Sequence, residues 1–164
     1  MRTAFKIEEL NEMLRLQKEL REKYQIEEKD NLDVKMYLRI KTALFKLADE
    51  VGSFYLLKKE KDNKKQLKMA SKLLLTALNI IVEKDVELFE MNNQKQCEVD
   101  KYDMNEIFGM LDVMLSDMYF DDTWYQLNVF ILTLGVVVNK CGFDIKDLYD
   151  EYIKEYNEIY TKLV

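Results

Sequence analysis

Not one proline interrupts these 164 residues, and only four glycines do. Proline breaks a helix by removing an N–H donor and clashing with the preceding turn, and glycine weakens it through backbone entropy. A chain with so few interrupters is free to form long helices, and its turns must come largely from other residues. Apolar residues recur at three- and four-residue steps, the period of a half-buried helix. With 48% hydrophobic and 34% charged residues, the balance is that of a folded domain rather than a disordered tail. One domain spanning residues 1–164 with a single core is expected at this length. The fold class expected is all-α, a bundle of about six helices, with no competing strand pattern and no internal repeat.

The expected helices are residues 7–24, 31–59, 64–92, 103–120, 123–141 and 144–162. The first carries Ile7, Leu10, Met13, Leu14, Gln17 and Leu20 on one side. The second starts at a cap from Asn31 or Asp33, and its inner stripe is read as Leu38, Leu44, Phe45, Ala48, Val51 and Tyr55. Gly52 lies inside it as a bend or a close crossing. The third is apolar on nearly all sides from Leu73 to Val82, which asks for burial on nearly all sides, by a second subunit as well as by its own neighbours. Asp103 followed by Glu106 has the form of a capping box for the fourth. Asp121 and Asp122 are read as the cap of the fifth and Gly142 as its left-handed stop. Asp144 opens the sixth.

Composition excludes several functions. The net charge of −6 leaves no broad basic surface for nucleic acid. No histidine exists, so imidazole bases and His-ligated zinc are ruled out. Two cysteines, Cys97 and Cys141, are too few for a disulfide framework. The chain opens on a charged helical pattern rather than a signal peptide, and its most apolar run, 129–138, is about half the roughly 20 residues that a spanning helix needs. No membrane partner is expected, and a cytoplasmic location is.

Three stretches carry a resemblance. Leu10-Asn11-Glu12-Met13-Leu14-Arg15-Leu16-Gln17-Lys18-Glu19-Leu20 is a Leu-rich opening helix ending in Gln-x-x-Leu. Asp49-Glu50-Val51-Gly52-Ser53-Phe54-Tyr55-Leu56-Leu57-Lys58 is the second. The third runs from Met104-Asn105-Glu106-Ile107-Phe108 through Met118-Tyr119-Phe120 to Tyr156-Asn157-Glu158-Ile159. Together they resemble the dimeric all-α dUTPases, relatives of the MazG-like nucleotide pyrophosphohydrolases. The likeness covers nearly the full chain as a pattern of helices with scattered identities. Arg21 departs from it where the family commonly has Asp, as do Tyr55 and Leu57, where it has Lys and Trp.

The resemblance implies a site between helices two and three, where the family presents Glu-x-x-Glu and Glu-x-x-Asp to Mg²⁺ ions that activate water and neutralise phosphate charge. Those four metal positions fall on Ala43, Lys46, Met69 and Lys72. None is a hard oxygen donor, and the two lysines would repel a divalent cation while offering a seat to an anion such as phosphate. The resemblance also implies nucleotide-binding roles for Gln17, at the uracil edge, and Lys58, on the phosphate side. By their own chemistry, Gln17 equally suits a helix–helix seam and Lys58 a solvated surface.

The expectation is therefore a divergent dimeric dUTPase-like protein that has lost Mg²⁺-dependent hydrolysis. It would act by binding a deoxyuridine nucleotide or a regulatory protein, as a homodimer and with no cofactor. One alternative is an active dUTP diphosphatase using Mg²⁺ on relocated carboxylates, with Glu83, Glu87 and Glu90 on one helical face or Asp49 and Glu50 as candidates. The other is a purely helical interaction protein. The aromatic residues Tyr119, Phe120, Trp124, Tyr125, Phe130, Tyr149, Tyr152, Tyr156 and Tyr160 are read as core and interface packing rather than as a stacking platform.

Overall fold

The computed structural model describes residues 2–24, 32–53, 60, 62–90 and 99–163. Among these the chain is all-α, with six helices and no strand: α1 Ile7–Tyr24, α2 Leu32–Val51, α3 Asn63–Glu83, α4 Met104–Asp121, α5 Leu127–Lys140 and α6 Ile145–Leu163. A single 3₁₀ turn, Trp124–Gln126, leads into α5.

The helix ends follow from specific residues. Asp103 accepts the Glu106 N–H at 2.8 Å and Glu106 accepts the Asp103 N–H at 3.3 Å, so the capping box opens α4 as expected. Gly142 has a φ of 93° beyond α5, the stop foreseen for it. Several ends differ from expectation, among them the start of α5, at Leu127 rather than 123 because the 3₁₀ turn precedes it. Gly52 does not bend a longer helix but terminates α2: its φ of 92° turns the chain, and the N–H groups of Gly52 and Ser53 both reach Ala48 O. Residues 54–59 of the expected second helix lie outside the described residues. Helix α3 ends at Glu83 rather than 92, because Asp85 takes a φ of 50° and the Val86 N–H closes back on Ile81 O at 3.0 Å. Asp122, at φ 55°, closes α4 instead of capping the next helix.

Helix α3 is the central rod. It touches α1, α2, α5 and α6, and Leu73, Leu74, Ala77, Leu78, Ile80 and Ile81 are buried by them. The apolar run that asked for a second subunit is therefore largely enclosed within one chain. Helix α5 is equally sheathed, with every residue from Phe130 to Val138 buried. No single helix among the described residues is long and apolar enough to cross a membrane.

The stripe of α2 is rotated from its expected position. Met36, Ile40, Leu44, Leu47 and Ala48 enter the core, while Leu38 stands 56% exposed and Phe45 is half-exposed. Among the aromatics, Trp124, Phe130, Tyr152 and Tyr156 are buried as expected, but Phe120 is 76% exposed and Tyr125 is exposed as well.

Candidate functional site, a groove between α2, α3 and α6

Helices α2 and α3 run antiparallel, joined at one end by an ion pair between Lys84 Nζ and Asp33 Oδ1 at 2.7 Å. That contact brings the start of α2 to the end of α3. Lys46 lies thirteen residues beyond Asp33, and Lys72 lies twelve before Lys84. At 1.5 Å of rise per residue, and allowing for the reach of the Lys84 side chain, the two lysines fall within about one turn of each other along the helices.

The side chains on this open side line a groove of about 470 Å³, with α6 as its third wall. Ala43, Lys46, Met69 and Lys72 all face it, so the structure brings together the four positions that the sequence comparison singled out. Leu38, Leu75 and Ile159 extend its apolar floor, and Arg39 adds a third cation. The spacing of Arg39, seven residues before Lys46, was readable as two turns along one face. Glu155 and Ile159 come from α6 and needed the fold to place them. The Thr42 hydroxyl donates to Leu38 O at 2.7 Å and the Thr76 hydroxyl to Lys72 O at 2.8 Å, so both protons are spent within their own helices.

Charge in the groove is unbalanced. Among the described residues, Arg39, Lys46 and Lys72 face a single carboxylate, Glu155. None of these cations makes a hydrogen bond or ion pair among the described residues. Elsewhere cations are commonly paired: Arg2 with Glu9, Arg15 with Glu12 and Glu19, Lys41 with Asp112, and Lys146 with Asp150.

Mg²⁺ does not fit this donor set. It requires near-octahedral oxygen coordination at about 2.1 Å, and the groove supplies one carboxylate and two hydroxyls beside three positive charges. Among the described residues no three His, Cys, Asp or Glu side chains gather as a metal-holding group. The carboxylates considered as replacements are elsewhere. Glu83 pairs with Arg21, whose guanidinium also donates to Asn79 Oδ1 at 2.8 Å, tying α1 to α3. Glu87 and Glu90 lie past the end of α3 and share no helical face with Glu83. Asp49 and Glu50 sit on the last turn of α2, outside the groove lining.

Gln17 is not brought to the groove. It is 2% exposed on α1, and its Oε1 accepts the Tyr152 hydroxyl from α6 at 3.0 Å. One turn on, Tyr156 donates to Glu19 Oε2 at 3.1 Å, and burial together with that bond pushes its phenol up to about 12. These residues form the α1–α6 seam. Lys58 lies outside the described residues.

Set against known proteins, the chain matches no family model, and no curated protein matches it.

Proposed function

We propose that this chain acts by binding on the groove between α2, α3 and α6, as a dUTPase-like scaffold from which Mg²⁺-dependent hydrolysis has been lost. One observation carries the reading. Ala43, Lys46, Met69 and Lys72, on which the resemblance puts the family's metal ligands, line one groove, and among the described residues three cations there face one carboxylate. Such a site attracts an anionic partner and repels the divalent ion that phosphoanhydride cleavage of this type requires. The bound partner is a deoxyuridine nucleotide or an acidic surface of a regulatory protein.

A homodimer belongs to the same proposal. Its support is the outward apolar surface of Val113 and Phe120 on α4 and Tyr125 just after it, since exposed apolar patches mark association sites.

The test is incubation of the purified protein with dUTP and Mg²⁺, followed by assay of pyrophosphate. The expected result is no release above the protein-free rate. Sustained, Mg²⁺-dependent release would overturn the reading.

A further inference from the structure

We infer that the groove receives an acidic amphipathic helix from a partner protein. The inference rests on the binding reading above and names the occupant of that site.

The dimensions suit a helix. On α2 the lining runs from Leu38 to Lys46 and on α3 from Met69 to Thr76, spans of about 12 Å and 10 Å along the axes. That is two turns of contact on each wall, the scale at which an apolar helical face is read by a groove. The floor of Leu38, Ala43, Met69, Leu75 and Ile159 offers aliphatic contact throughout.

Three features disfavour a nucleotide or another small anion as the whole occupant. Among the described residues no aromatic ring lines the groove to stack a base. The two threonine hydroxyl protons are already donated to backbone carbonyls. The apolar surface also continues out of the groove along α2, where Val34 and Leu38 are exposed one turn apart. A small ligand would leave that stripe wet, whereas a helix lying across it would cover it.

Charge sets the partner's sign and spacing. Lys46 and Lys72 line the groove from its two long walls, and Arg39 lies two turns, about 10 Å, before Lys46 on α2. A helix bearing one carboxylate between the lysines and a second about two turns away would meet all three cations. These cations make no ion pair among the described residues, so they need break no existing contact to do so.

The experiment uses two fluorescein-labelled synthetic peptides of about five turns. Each carries a leucine stripe, and its charged positions two turns apart are Glu in one peptide and Lys in the other. Anisotropy is measured with the native protein and with Lys46→Glu/Lys72→Glu, whose retained helicity is checked by circular dichroism. The native protein is expected to bind the Glu peptide at least about tenfold tighter at low salt, with the advantage shrinking as salt rises. The double variant is expected to reverse the preference. Equal affinity for both peptides, no binding of either, or a double variant that still prefers the Glu peptide would overturn the inference. Full displacement of the Glu peptide by dUTP, decanoate or inorganic phosphate would also overturn it, assigning the groove to a small anion. Peptide failure alongside absent pyrophosphate release sinks this inference and leaves the binding reading standing. Pyrophosphate release sinks the binding reading whatever the peptides do.

Discussion

Tyr152 on α6 donates its hydroxyl proton to Gln17 Oε1 on α1 at 3.0 Å, with both side chains buried, and the same hydroxyl lies 3.1 Å from Met13 O. This seam accounts for an amide in the interior without any nucleotide. Gln17→Ala is expected to cost about 2 kcal/mol, combining a lost buried bond with a cavity. Tyr152→Phe should cost about 1 kcal/mol, because Gln17 Oε1 loses a donor. A double-mutant cycle in urea should show coupling of about 1 kcal/mol between them. An unchanged urea midpoint for Gln17→Ala would instead return the residue to a ligand-reading role.

Gly135 lies where the N-terminal segment crosses α5. A Cβ there would stand 1.8 Å from Thr3 O, and backbone cannot yield as a flexible side-chain tip can. The segment is held just before the crossing: Arg2 O accepts the Ile145 N–H at 3.1 Å and an Asn139 Nδ2 proton at 2.9 Å. Gly135→Ala is expected to lower stability by about 2–3 kcal/mol, the upper range for overpacking. Denaturant unfolding measures it, and a change below about 0.5 kcal/mol would show that the crossing is not held.

Helix α1 was legible to the residue, because its apolar steps and its charged far face agree throughout Ile7–Tyr24. The Asp103–Glu106 box was legible because both partners lie within one turn. What failed has common physical roots. Apolar periodicity runs on past Val51 and Glu83, while the stops depend on backbone at Gly52 and Asp85 entering left-handed conformations, which no apolar count registers. Leu38 and Phe45 fit the period of α2 nearly as well as Ile40 and Leu47, so pattern alone could not decide which stripe meets the core. The groove was half-readable: the i, i+3 spacing puts Ala43 with Lys46 and Met69 with Lys72, but their meeting depends on the antiparallel register. Gln17 and Tyr152 are separated by 135 residues, and nothing local to either one names the other.

Asp144 opens α6 and couples its start to the N-terminal segment. Its carboxylate accepts the Lys146 N–H at 2.9 Å and the Arg2 N–H at 2.9 Å. The Lys146 bond, with the Arg2 bond and charge assisting against partial burial, holds its pKa below the ordinary value of 3.8. A carboxylate with a depressed folded pKa contributes stability that is full above its ordinary value and is lost as pH falls through the folded one. Asp144→Asn keeps an acceptor and removes the charge. Its deficit in urea midpoint should be constant between pH 5 and 7 and should shrink below about pH 4. A deficit that persists unchanged at pH 2 would show that shape, not charge, is what Asp144 supplies.

Phe120 presents its ring to solvent near the end of α4, next to Tyr119, whose ring stacks on Tyr37 of α2 at 4.3 Å. Val113 is exposed two turns earlier on the same helix. If this surface joins two copies, Phe120→Glu should raise the dimer dissociation constant by about 30-fold or more, since truncating or charging a central aromatic commonly costs over 2 kcal/mol. Sedimentation velocity at several protein concentrations reads the change. Monomer alone at every concentration for the unaltered protein would remove the dimer from the proposal.

Introducing carboxylates at the four positions that the proposed function singles out offers the most direct test of how α2 faces α3. The substitutions Ala43→Glu, Lys46→Glu, Met69→Glu and Lys72→Asp place four carboxylates in the lining of one groove. Without metal these like charges should repel and lower the melting temperature. With Mg²⁺ the repulsion becomes coordination, and binding to the folded state alone stabilises it by mass action, about 2.7 kcal/mol at a hundredfold excess over the dissociation constant. The expected outcome is a variant whose melting temperature climbs with Mg²⁺ and which gives a binding heat by calorimetry, while the parent protein does neither. Because Lys46 and Lys72 are exposed and Ala43 and Met69 are not fully buried, the fold should survive, and circular dichroism checks that it does. A folded variant indifferent to Mg²⁺ would mean that these four side chains do not converge, and the assignment of the groove to the family's metal positions would fall with them.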